Sequence, residues 1–316
     1  MYEIKTISKD DPRIDVEQTG ISEKYWLKGE DGRREFLIKI PNPKRQDECW
    51  VEKVVCELCG IAGIPCAAYD LCECVSTTTG GAVTTQLGVI TKNMCPQGWR
   101  LSLGNALMTA CLGADEYISS MKKGKPNPTY TIENVMICLE NLEKISKGTW
   151  IGEGARVRFC QYLALDAVVG NQDRHHQNWA ILENENDGIH ERMMAPTFDH
   201  GASLGRGLLD EERRARRATK DRNFKVAAYA ERAKSMFTCT TPDGVVSRLS
   251  TLQALQRALE LCPAAKKQVL EILDRLSVEQ VTGIFDELPS SFITVDARLF
   301  AQDLIAANIS RIRSHV

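Results

Sequence analysis

Several features that would assign a chain to a class at once are missing here. No apolar run approaches the ~18 residues a membrane helix needs, and the opening "MYEIKTISKDDPRIDVEQ" does not read as a secretion signal. Charge is nearly balanced, at a formal −2 with 40 Lys and Arg against 42 Asp and Glu, so no global field draws the chain to nucleic acid or a membrane. There is no internal repeat, no low-complexity tract, and no H-x-x-x-H or H-E-x-x-H spacing for a zinc hydrolase. Neither is there a G-x-G-x-x-G phosphate loop.

What is present is ordinary globular material: 316 residues, 43% hydrophobic and 26% charged, enough for two lobes or two domains. The 12 cysteines lie mostly in apolar segments. There free cysteine behaves as a small hydrophobe, so they read as reduced and core-packing, and the chain as cytoplasmic. "CELC" with "CEC" is a poor zinc pattern, because the second pair is C-x-C and the first sits in a helical stretch.

Residues 12–92 read as mainly β with one helix. "KYWLKGE" and "REFLIKI" alternate and are joined by "DGR", a hairpin. "QDECWVEKVVCELCGIAG" has helical spacing of Val51, Val54, Val55, Leu58 and Ile61, with Gly60 and Gly63 as its stop. "CAAYDLCECV" and "TTQLGVITKN" read as strands joined by the polar "STTTGG". From about Leu101 helical patterns dominate, interrupted by "NWAILEN" and "MMAPTFD" as a short strand pair; 223–315 reads as further helices. The expected architecture is α+β and bilobal: a small β-rich lobe over 1–93 and a larger, mostly α-helical lobe over 94–316, with 91–99 connecting them.

The chemistry concentrates in "GNQDRHHQNWAIL". Asp173 and Asn178 have the D-x-x-x-x-N spacing of a protein-kinase catalytic loop, in which a carboxylate accepts the proton of an incoming hydroxyl and an amide oxygen holds Mg²⁺. "FDHG" then supplies Asp199 in an Asp-x-Gly metal motif. Upstream, Lys39 stands in the aliphatic strand "FLIKI", as a phosphate-binding lysine does, with Glu48, Glu52 and Glu57 as acids on the next helix. Each part alone has a plainer explanation: a snorkelling lysine, a turn-capping aspartate, a solvated glutamate. Their common order is what points to phosphoryl transfer. "EQTGISEKYW" is the segment available to phosphates, through Gly20, Ser22 and Lys24. "DEERRARRATKDR" reads equally as a salt-bridged helix or as arginines (Arg213, Arg214, Arg216, Arg217) at the cleft mouth recruiting an acidic substrate.

"LALDAVVGNQDRHHQNWAIL" followed by "FDHGASLG" resembles the HipA-like serine/threonine kinases, bacterial enzymes distantly akin to phosphatidylinositol 3/4-kinases. The resemblance runs from about Ile14 to Ile312 and includes "VEKVVCELCGIAGIPCAAYDL" and "ITVDARLFAQDLIAANISRI". "GISEKYWLK" and "GVITKN" lean toward the short CtkA type, alongside the HipT type, and the chain is expected to lack the N-terminal subdomain of full-length HipA. The resemblance implies an ATP- and Mg²⁺-dependent serine/threonine kinase, with Asp173 as base and Asn178 and Asp199 as metal ligands. It implies that Lys39 holds the α/β-phosphates and Glu52 pairs with it, that Asp166, Arg174 and His175 shape the loop, and that 91–94 (Thr91, Asn93, Met94) contact adenine. Gly20 and Ser22 would belong to the phosphate loop, with Ser22, or else Thr19, autophosphorylated. It further implies a protein substrate with a Ser/Thr acceptor (a translation factor, an aminoacyl-tRNA synthetase or a host protein) and an antitoxin partner, with no membrane and no direct DNA binding. Delivery to a host cell would be the alternative to a cytoplasmic location. The rival readings are a small-molecule or lipid kinase on the related fold, and a non-enzymatic pseudokinase, which the presence of all the catalytic parts argues against.

Overall fold

The computed structural model describes residues 1–17, 22–78, 80–113, 117, 125–186 and 188–316. Six strands form the N-terminal sheet: β1 (Ile4–Ser8), β2 (Ile14–Glu17), β3 (Glu23–Lys28), β4 (Arg34–Ile40), β5 (Tyr69–Thr77) and β6 (Val83–Lys92). Their order is β1-β5-β6-β4-β3-β2, with β1 parallel to β5 and the other pairs antiparallel. The β3–β4 hairpin registers Lys24 opposite Lys39, which sets both on one face of the sheet. The strand Ile4–Ser8 lies outside the stretch read as β in the sequence. It is pinned by parallel pairing with β5 and by Tyr2 N–H donating to Glu287 O at 2.7 Å.

Helix α1 (Glu48–Ala62) follows β4 and packs on β5 and β6. Cys49, Trp50, Val51, Val54, Val55 and Leu58 are fully buried, and Trp50 meets the Phe285 ring at 6.3 Å. Of the two glycines read as its stop, Gly60 is inside the helix. Gly63 ends it, adopting φ 72° so that the Gly63 and Ile64 N–H groups cap the Gly60 and Cys59 carbonyls.

Beyond β6 comes a three-stranded antiparallel sheet of β7 (Trp99–Leu103), β8 (Ala180–Asn186) and β9 (Ile189–Met194), in that order. The strand pair read from the sequence is present, but its second strand ends at Met194, and 195–199 continue as a loop bridged to Cys66 through Thr197. Among the described residues the α-helices that follow α1 are α2 (Gly104–Leu112), α3 (Ile132–Ile145), α4 (Ala155–Val169), α5 (Asp210–Ala218), α6 (Val226–Arg232), α7 (Thr251–Leu261), α8 (Lys266–Arg275), α9 (Val278–Asp286) and α10 (Val295–His315). Helix α4 is the axis, buried on nearly all sides and packed against α3, α7, α8 and α10. One hairpin, β10 (Lys234–Thr240) with β11 (Val246–Ser250), sits where the sequence read as helix. Its turn "TPDGV" and the tertiary contact of Thr238 N–H with Tyr130 O at 3.0 Å prevail over the surrounding helical pattern. Among the described residues no helix is long and apolar enough to cross a membrane.

Candidate active site

Strand β4 brings Lys39 under the first turns of α1. Its Nζ lies 3.2 Å from Glu52 Oε1 and 2.7 Å from Asp199 Oδ1. Burial opposes the Lys39 charge, but the Asp199 and Glu52 carboxylates outweigh it and hold the ammonium well above its ordinary range. Burial likewise opposes the charge on Asp199, and Lys39 prevails, so Asp199 titrates below the usual carboxylate range. Glu52 is fully buried and also depressed, with burial overcome by Lys39 and by hydrogen bonding from His200.

The Asp199 backbone is left-handed at φ 58°, a conformation aspartate tolerates better than most residues. Three contacts hold it there. Asp199 N–H donates to the Tyr69 hydroxyl at 3.3 Å, His200 N–H donates to Glu52 Oε2 at 2.9 Å, and the His200 ring Nε2 meets Thr197 Oγ1 at 2.9 Å.

The loop after α4 is organised by one buried ion pair. Gly170, at φ 66°, ends the helix, and Asp166 on its last turn receives Arg174 bidentately, Nε at 2.9 Å and Nη2 at 2.8 Å. The same guanidinium reaches Asn178 O at 2.6 Å and Phe198 O at 3.3 Å, tying the Asp173 loop to the segment that carries Asp199. Asn171 donates to Asp166 Oδ1 at 2.8 Å and accepts from Asp173 N–H at 3.1 Å. Asn178 Nδ2 donates to Asp173 O at 2.7 Å, which leaves its amide oxygen for another partner. Burial, more than any other cause, pushes the Asp173 carboxyl up, opposed by His175 and reinforced by Asp199.

Asp173, Asn178, Asp199 and Lys39 converge on one cleft of about 560 Å³ between the six-stranded sheet and the helical region. Ser22, just before β3, and Lys24 on it line the cleft, as do Thr91 on β6 and Asn93 and Met94 just after it. The Asn93 N–H is committed to Glu35 O at 2.8 Å, and its side chain bridges Arg34 O and Cys95 N–H at 3.0 Å each. Gly20 and Thr19 lie outside the described residues. The donor set fits Mg²⁺ with phosphate. A carboxylate and an amide oxygen face the cleft together, and Mg²⁺ of this kind takes one or two protein oxygens and completes its shell with phosphate and water. Among the described residues no three His, Cys, Asp or Glu side chains form an all-protein metal cage. Leu37, Ala67, Leu101, Leu103 and Phe198 give the cleft an apolar portion suited to a planar base.

Against solved structures the chain aligns with the proinflammatory kinase CtkA of Helicobacter pylori over 99% of its own length and 96% of CtkA, at a TM-score of 0.65 and 17% identity. This is the CtkA fold. HipA of Shewanella oneidensis, solved with HipB and operator DNA, aligns over 97% of this chain and 66% of HipA, at a TM-score of 0.52 and 10% identity. No family model matches the sequence, and no curated relative matches it either. The CtkA-like fold is bilobal and α+β, a β-rich N-terminal lobe followed by a helical one.

Within that fold some residues at the site carry a role the sequence reading did not give them. His200, the middle residue of "DHG", is fully buried behind the cleft and donates its N–H to Glu52; the signal was its place between two motif residues. Tyr69 and Arg206 have no local signal, being brought in by β5 and by the turn after "GASLG". The arginines of α5 take the structural alternative: Arg213 pairs with Asp47 and Asp210, Arg214 with Asp296, Arg216 with Glu212 and Arg217 with Asp303.

Proposed function

We propose that this chain is an ATP- and Mg²⁺-dependent serine/threonine protein kinase of the HipA/CtkA-like type. The observation that carries the reading is the convergence of Lys39, Glu52, Asp199, Asp173 and Asn178 on one cleft, in a chain with the CtkA fold. Asp173 is the base. The acceptor hydroxyl oxygen bonds to the γ-phosphorus as the bond from that phosphorus to the ADP oxygen breaks, and the hydroxyl proton passes to the Asp173 carboxylate. Asn178 and Asp199 would hold Mg²⁺, which when bound neutralises phosphate charge. Lys39, oriented by Glu52, exchanges its 2.7 Å contact with Asp199 for phosphate oxygens.

The lobe boundary falls at 93/94, and 91–94 face the adenine. Ser22, on the cleft wall, is the autophosphorylation site, in a phosphate loop that includes Gly20. The acceptor is a protein serine or threonine, on a translation factor, an aminoacyl-tRNA synthetase or a host protein. An antitoxin partner, as HipB accompanies HipA, and a cytoplasmic location belong to the same reading.

The test is purified protein with Mg²⁺ and γ-labelled ATP, alone and with a general acceptor protein, followed by mass spectrometry. Label on Ser22 or on an acceptor serine or threonine, absent in Asp173→Ala, is expected. Label retained in Asp173→Ala would remove Asp173 as base. Nucleotide binding without protein label would move the assignment to a small-molecule or lipid acceptor.

A further inference from the structure

Most arginines near the cleft are accounted for by structure. Arg174 is sealed against Asp166, and the four of α5 are held by carboxylates of that helix, its neighbours and α10. Arg206 is different. It lines the cleft together with Asp173, Asn178 and Asp199, and its side chain keeps 21% of its surface open. Among the described residues its ion partner is Glu48, on the first turn of α1, through a single contact of 3.3 Å from Nη1 to Oε1. That same oxygen also faces Arg45 at 3.8 Å, so one carboxylate is shared by two guanidiniums. Net positive charge is left directed at the cleft.

The backbone beneath Arg206 is fixed rather than loose. Leu204 N–H donates to Val169 O at 2.9 Å, and Gly205 O accepts from Arg213 at 3.3 Å. Leu204 and Gly205 are both left-handed, at φ 55° and 74°, and a Cβ on Gly205 would stand 2.5 Å from the Phe300 ring. The turn therefore presents the guanidinium from one defined point, on the side of the cleft where its charge acts on Asp173.

We propose that Arg206 is a further catalytic residue, a guanidinium that contacts the γ-phosphoryl oxygens as they pass between ADP and the acceptor hydroxyl. This inference rests on the kinase reading above. A planar fork of N–H donors matches phosphoryl oxygens bidentately, and a donor fixed before reaction needs no reorganisation as charge shifts. Glu48 holds the fork in waiting by a weak contact that a phosphate can replace.

The plainer alternative is that Arg206 only neutralises the buried Glu48 carboxylate. Arg206→Met, Arg206→Lys and the Glu48→Gln/Arg206→Met double variant separate the two. Phosphoryl transfer and calorimetric binding of Mg·ATP, and of Mg·ADP with aluminium fluoride as transition-state mimic, are measured on each. Arg206→Met should transfer on the order of a hundredfold more slowly while binding Mg·ATP within about threefold of wild type. Its affinity for the fluoroaluminate complex should fall by about tenfold or more, because the contact is made in the transition state. Arg206→Lys should recover only part, and the double variant should stay as slow as Arg206→Met. A double variant restored to the wild-type rate, or unchanged fluoroaluminate affinity in Arg206→Met, overturns the assignment. A wild-type protein that binds no Mg·ATP overturns the kinase reading and this inference with it.

Discussion

Arg174 is the residue on which the loop geometry depends most. It is fully buried, and four contacts to Asp166, Asn178 O and Phe198 O engage all three of its guanidinium nitrogens. Burial works against its charge, and the Asp166 carboxylate more than compensates. Arg174→Met would strand a buried carboxylate, at a cost of about 3–5 kcal/mol in urea unfolding. Arg174→Lys should restore little, since an ammonium cannot reproduce the bidentate fork. Adding Asp166→Asn to Arg174→Met should recover part of the loss by removing the orphaned charge. A single variant as stable as wild type would show that the pair does not hold the loop.

At the scale of elements, Glu183 on β8 joins the three-stranded sheet that carries the end of the Asp173 loop. Ser102 Oγ donates to it at 2.6 Å and Arg100 at 3.0 Å from β7, and Arg192 at 2.9 Å from β9. Burial raises the Glu183 pKa, but the Ser102, Arg192 and Arg100 hydrogen bonds lower it further, so its folded pKa lies below the ordinary glutamate value. A depressed folded pKa stabilises the protein above the unfolded pKa, and that contribution is lost as pH falls through the folded one. Glu183→Gln should therefore cost about 1–3 kcal/mol at neutral pH. The gap between variant and wild type should close below the usual glutamate range. Denaturant unfolding of both proteins at neutral and acid pH measures this, and a gap that persists unchanged in acid would mean that packing, not charge, is at work.

For the whole molecule, the cleft draws its walls from both regions: Lys24, Lys39 and Thr91 from the six-stranded sheet, Asp173 and Asp199 from beyond it. Anything that binds there and not to the unfolded chain stabilises the fold by mass action, by about 2.7 kcal/mol at a hundredfold excess over Kd. Mg²⁺ with ATP should raise the Tm, ATP alone should raise it less, and Asp199→Asn should erase the difference between the two. Equal shifts with and without Mg²⁺ in the wild-type protein would argue against metal at Asp199. The six-stranded sheet and the helical region share one hydrophobic core through α1, whose Trp50 and Val54 pack with Phe285 and its neighbours, so unfolding should remain cooperative.

What was legible in the sequence was local and periodic. The β3–β4 hairpin, α1 and the β5–β6 pair follow from alternation, helical spacing and turn residues, and Asp173, Asn178 and Asp199 stand in short motifs whose spacing is itself the signal. Distances between segments far apart in the chain were not legible. Helical spacing alone leaves three glutamates on one helix interchangeable, and only the resemblance pointed to Glu52; the fold brings Glu52 to Lys39, turns Glu48 toward Arg45 and Arg206, and leaves Glu57 to Lys53. The arginines of α5 could have faced a substrate, and only the packing of α5 on α10 decided that most of them face other parts of the chain. The position of Arg206 was likewise set by contacts distant in sequence, whereas the β10–β11 hairpin had a local turn signal in "TPDGV" beside its remote contact with Tyr130. Local pattern specifies which elements form and which chemical groups they carry, but a charge finds its partner only when packing has brought remote segments together.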